Sequence, residues 1–113
     1  MRRLTILLPV VLLAACGGLG EQHRLHHASD LIADHCAACH VVPGVPSANG
    51  RVGPSLAHIA SQQIIAGYFA NEPNMMSQWI EHPQQLLPGN AMPDMGLSPS
   101  EVSSIVDYLY TLE

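Results

Sequence analysis

Cys36-Ala37-Ala38-Cys39-His40 carries the most specific chemistry in this 113-residue chain. Each thiol can add to one vinyl group on the same edge of a porphyrin, which requires sulfurs about one helical turn apart. A histidine directly after the second cysteine brings an imidazole nitrogen beneath the iron as the proximal ligand. The spacing therefore points to one covalently attached haem c. A structural zinc site would need four ligands, and the remaining cysteine, Cys16, lies far upstream in an apolar leader. A thioredoxin-like dithiol opens a helix after a buried strand, and nothing before Cys36 reads as a strand.

Composition narrows the classes further. The length allows one domain at most. All four basic residues are arginines, against nine acidic ones, for a formal charge of −5. A lysine-free acidic chain is poorly suited to binding nucleic acid or anionic head groups through charge. Five aromatic residues are few for a small core, so a porphyrin would supply missing apolar mass.

Residues 1–15 read as a secretory leader, with Arg2 and Arg3 as its positive start and Leu4 to Leu13 as its apolar run. The run is too short to span a bilayer as a stable helix. Leu13-Ala14-Ala15-Cys16 resembles the bacterial lipoprotein box, which implies an acylated Cys16 at the mature N-terminus. Cleavage at an ordinary small-residue site is the alternative. Gly17 stands where an aspartate would resemble an inner-membrane retention signal, so the expectation leans to the outer membrane. Residues 16–27 then form a lipidated flexible tether, with Gly17, Gly18 and Gly20 loosening it. His23, His26 and His27 are metal-ligand types, within a stretch that reads as solvated.

The remaining 28–113 must position the haem. A first helix is expected from Ala28 or Ser29, with Ala28, Leu31, Ile32 and His35 on one stripe. With the Cys-x-x-Cys-His motif, this pattern resembles the class I (mono-haem) cytochromes c. The resemblance implies an all-α fold of about four helices around the haem, the first packed on the last. Gly53-Pro54-Ser55-Leu56 is similar to the family's Gly-Pro-x-Leu, which implies that the Pro54 carbonyl accepts the second ring N–H of His40. Leu87-Pro88-Gly89-Asn90-Ala91-Met92-Pro93 resembles the distal loop and implies Met92 as sixth iron ligand, with Met95 as rival. The family often has a tryptophan here whose indole N–H donates to a haem propionate, so the resemblance implies that role for Trp79, with plain core packing as the alternative. The family's arginine beside the propionates is missing, and Gln62 or Gln63 falls in that neighbourhood.

Three further elements are expected. Residues 61–70 suit a short helix despite Gly67. A helix from Pro73 to His82 has Asn71 as candidate cap and Pro83 as its stop. The final helix has Ser98 as cap, Pro99 at its first position and Glu101 completing a capping box. Val102, Ile105, Val106, Leu109 and Leu112 form its apolar stripe.

The resemblance covers Ala28 to Glu113 and implies a one-electron carrier, not an enzyme. It would work in the periplasm or elsewhere outside the cytoplasm, as a monomer held to the membrane by lipid. Filled axial positions leave substrate no place on the iron. The alternatives are a fixed haem c subunit of a dehydrogenase or oxidase complex, or a peroxidatic or gas-sensing protein with a labile methionine. Redox proteins are the expected partners, and the absence of lysine argues against docking through a lysine ring.

Overall fold

The structure, a computed structural model, describes residues 16–113. The expected leader, residues 1–15, lies outside the described residues. Among the described residues, four helices carry the fold: α1 (Cys16–His35), α2 (Pro73–Glu81), α3 (Pro83–Leu86) and α4 (Pro99–Leu109). A 3-10 turn (Ile59–Ser61) and a two-stranded hairpin, β1 (Ile64–Ile65) and β2 (Phe69–Ala70), stand between α1 and α2.

The core is the crossing of α1 and α4. Ala28, Leu31 and Ile32 of α1 are buried, as are Val102, Ile105, Val106 and Leu109 of α4. Both sets repeat at helical spacing, so each helix turns one apolar face to the other. Ile32 is 0% exposed, and Ala28 presents only a methyl group, which lets the backbones approach. His35, expected on the buried stripe, is exposed; Cys36 takes the inward position one residue on.

Residues 16–27 are helical and not a flexible tether. Positions 17–24 are all exposed, and three glycines there each cost about 1 kcal/mol relative to alanine. Once burial of Leu31 and Ile32 has nucleated α1, adding further turns is far less costly than starting a helix. Arg24 reaches Asp107 on α4, an exposed ion pair that ties the extension to the domain.

The expected helix over 61–70 is a hairpin instead. Ile64 pairs with Ala70 and Ile65 with Phe69. The Tyr68 N–H donates to the Ile65 carbonyl at 3.1 Å, closing a turn whose central residues, Ala66 and Gly67, both have positive φ (51° and 78°). That is the type I′ geometry which matches strand twist, and it overrides the weak helical pattern. Asn71 does not cap α2, whose N-cap is Glu72. Its amide donates to the carbonyls of Ile59 and Gln62, each at 2.8 Å, and its oxygen accepts from the Tyr110 hydroxyl at 2.7 Å. Asn71 thus pins the hairpin's base to the end of α4. Pro83 ends the preceding helix as expected, and it also opens α3.

The Pro/Gly-rich loop after His40 folds on itself. Val42, Val45 and Ala48 are buried, and the Tyr108 hydroxyl donates to the Pro43 carbonyl at 2.7 Å. Gly44 has φ 82°, and a Cβ there would run into that hydroxyl.

The start of α4 follows the expected capping box: Ser98 Oγ accepts from the Glu101 N–H at 3.3 Å, and Glu101 Oε2 accepts from the Ser98 N–H at 2.7 Å. The Ser98 backbone donor, then its side chain, hold the Glu101 carboxyl below its ordinary value of 4.5. Its ionised form therefore stabilises the fold above the ordinary value, and that contribution is lost as pH falls through the depressed folded value. Glu101→Gln should flatten this part of the acid dependence of thermal unfolding between about pH 3 and pH 7. Ser98→Ala should cost about 1 kcal/mol near pH 7, where Glu101 is ionised.

Candidate haem site

The Cys-x-x-Cys-His segment continues the end of α1 as a turn. The Cys36 N–H donates to the Ile32 carbonyl at 2.8 Å, and the Cys36 carbonyl accepts from Cys39 at 3.1 Å and from His40 at 3.0 Å. This brings Cys36, Cys39 and His40 onto one wall of a cavity of about 550 Å³. Cys36 is buried, and burial, followed by the neighbouring Cys39, pushes its thiol up to about 11. Before haem attachment it is therefore a protonated thiol at neutral pH. The cysteine pair follows a helix, and among the described residues no strand precedes it as the thioredoxin-like context would require.

The loop after the motif fastens to it through backbone bonds. Gly50 N–H donates to the Ala37 and His40 carbonyls at 3.1 and 3.2 Å, and Gly53 N–H donates to Cys39 at 2.8 Å. Glycine is required at both positions: a Cβ on Gly50 would strike the Ala38 backbone, and one on Gly53 would strike the His40 ring. Close packing on Gly53 sets the imidazole beside the Pro54 carbonyl, 2.6 Å from His40 Nδ1. A carbonyl oxygen can only accept, so Nδ1 carries the proton and Nε2 keeps its lone pair for a metal.

Pro54, Trp79 and Met92 line the same cavity, together with the rival Met95. Trp79 is half-buried on α2 with its ring 5.9 Å from Phe69, and Ile80 beside it is buried. Met92 packs against the core; Met95 does not. Met76 of α2 is buried and also lines the cavity. Gln62 and Gln63 are exposed and lie outside the lining. Cys16 is the first residue of α1.

Sequence reasoning missed three contributors. Ile65, at 3% exposure, supplies a wall from the unexpected hairpin; its signal was the β-branched pair Ile64-Ile65 before Gly67. Gln84 and Asn90 were also passed over. Their side chains hold the loop that bears Met92, and single polar residues near a Pro-Gly turn give no pattern that announces this.

Residues 27–113 match the model of the family described as Cytochrome c. The chain belongs to the cytochrome c family. Its fold resembles that of the c-type cytochrome SorU from Sinorhizobium meliloti, with a TM-score of 0.56 and 18% identity over 80% of this chain and 92% of that one. Cytochrome c oxidase subunit 2 of Alkalihalophilus pseudofirmus is 33% identical over 79 residues, covering 69% of this chain and 22% of the relative. The same subunit of Bacillus sp. (strain PS3) is 27% identical over 82 residues, 69% and 23% of the two chains. The cytochrome thus spans under a quarter of the length of these curated relatives.

The cavity fits the family's prosthetic group on the chemistry of its donors. The thiols of Cys36 and Cys39, the His40 imidazole with its tautomer fixed, and thioethers including that of Met92 line a largely apolar space. The size lies within the range of about 300–1,000 Å³ usual for ligand pockets. The cytochrome carries one covalently bound haem c, in an all-α fold of this family.

Proposed function

We propose that this cytochrome is a one-electron carrier working outside the cytoplasm. Cys36 and Cys39 hold its haem c by thioether bonds, and His40 and Met92 hold the iron. The observation that carries the reading is a single cavity that collects these four side chains and fixes His40 Nδ1 on Pro54. The haem supplies the one-electron couple. With His40 and Met92 both holding the iron, little rearrangement would accompany a change of oxidation state and no ligand site would be left for a substrate. The indole N–H of Trp79 is the group we assign to a propionate. Redox proteins give and take the electron, and a lysine-free acidic surface suits a partner with basic residues around its own port.

The same proposal includes a lipid on Cys16 and placement at the outer membrane. Exposed α1 turns then form a helical stalk, extending about 18 Å between residue 16 and Ala28 at 1.5 Å per residue. Mass spectrometry of the mature N-terminus should show an acylated cysteine, and Cys16→Ser should move the cytochrome from the membrane to the soluble fraction. An unmodified N-terminus at or beyond Cys16 would remove the anchor.

A second reading has a specific observation behind it: the curated relatives carry the matching segment within a far longer oxidase subunit. On that reading the cytochrome is a fixed electron port of a larger complex. Mild solubilisation of membranes decides between the two. A carrier separates from its partners, and reduction of its acceptor scales with added cytochrome. A fixed port copurifies at constant stoichiometry.

A further inference from the structure

We propose that Gln84 and Asn90 form a clamp that holds the peptide groups on both sides of Met92, making this thioether, and not that of Met95, the firm iron ligand. The inference rests on the assignment of Met92 as sixth ligand and goes beyond it by naming what positions it.

The loop that bears Met92 lacks regular structure, and among the described residues 91–97 make no backbone-to-backbone hydrogen bond. Side chains replace that ladder. Asn90 Oδ1 accepts from the Met92 N–H at 2.7 Å. Gln84 Nε2 donates to the Met92 carbonyl at 2.7 Å and to the Asn90 carbonyl at 2.8 Å. The other end of each amide is also engaged. Gln84 Oε1 accepts from the Gly89 N–H at 3.1 Å, and Asn90 Nδ2 donates to the carbonyls of Pro83 and Leu87 at 3.0 and 2.8 Å. Asp94 Oδ1 closes the loop by accepting from the Gln84 N–H at 3.1 Å.

Both side chains are half-buried and rooted in or beside α3, which Pro83 anchors in the core. An amide bonded at both ends cannot rotate without breaking several bonds together, so Met92 is fixed before it meets a metal. A ligand ordered in advance loses little conformational entropy on binding. Met95 also lines the cavity, yet no side chain of the described residues bonds its peptide groups. The two thioethers are chemically equal; the clamp distinguishes them.

The test is exogenous imidazole titrated into the oxidised holocytochrome, read at the weak far-red band of methionine sulfur on ferric iron. Gln84→Leu should raise the apparent affinity for imidazole on the order of tenfold, since each lost hydrogen bond is a modest net term. Asn90→Ala should act in the same direction. Gln85→Leu, at the exposed neighbouring position, should match wild type. Gln84→Glu serves as the conservative variant. As a carboxylate it lacks the donor, and it should regain part of the wild-type resistance as the pH falls and a carboxyl proton returns. The comparison is with wild type at each pH, which cancels imidazole's own protonation, and a general loss of stability would not narrow that difference as pH falls. Wild-type imidazole affinity in folded Gln84→Leu and Asn90→Ala, with the wild-type band intact, would overturn the clamp alone. A wild-type protein lacking the band would overturn the clamp together with the Met92 assignment.

Discussion

Cys36→Ala combined with Cys39→Ala should abolish covalent haem attachment altogether. In the wild-type cytochrome the haem should stay with the polypeptide through denaturant and acidified organic solvent, because thioether bonds survive both. In the double variant all remaining haem should be extractable. Cys39→Ala alone should leave one thioether and one unreacted vinyl group, and the extended conjugation should shift the reduced absorption band to longer wavelength. The domain should also lose stability, since Cys36 sits at the edge of the α1–α4 core and a small domain depends on its covalent staple. Haem that remained covalently bound in the double variant would refute the attachment sites while leaving the family assignment intact.

Met92→Ala should have the second largest effect, and it separates a carrier from an enzyme. The oxidised wild-type protein should be low-spin with the far-red methionine band. The variant should lose the band and admit cyanide or peroxide to the iron. Its potential should fall by on the order of 100 mV, because a neutral thioether favours ferrous iron and axial ligands tune haem over ~0.8 V. Met95→Ala should leave these properties nearly unchanged, since Met95 does not pack against the core. A high-spin wild-type protein reacting readily with peroxide would favour the peroxidatic reading. If Met95→Ala caused the losses and Met92→Ala did not, the ligand would lie three residues further along the same loop.

Several features were legible before any coordinates because they depend on near neighbours. The capping box of α4 spans Ser98 to Glu101, and every donor and acceptor in it lies within one turn. The cysteine spacing likewise carries its own chemistry, since two thiols and an imidazole one turn apart suit a porphyrin edge and its iron. The apolar stripes of α1 and α4 announced two faces that had to meet.

What the sequence by itself determined was the haem motif, the two principal helices and the identity of the candidate ligands. The motif and the helices follow from local spacing and side-chain chemistry, whereas Met92 as a candidate ligand is implied by the resemblance of its loop to the family's. The tertiary structure alone decided the rest. Burial of Ile32 supplied the nucleus from which α1 runs back to Cys16, although Gly17, Gly18 and Gly20 read as a tether. A turn with positive φ at Ala66 and Gly67, pinned from below by Asn71 and Tyr110, made a hairpin of a segment that reads as helical. Gln84 reaches the Met92 carbonyl eight residues on, through a loop with no periodicity to reveal it. Hydrogen bonds between residues distant in sequence or joined by irregular backbone leave no repeating pattern, so they appear only when the chain has folded.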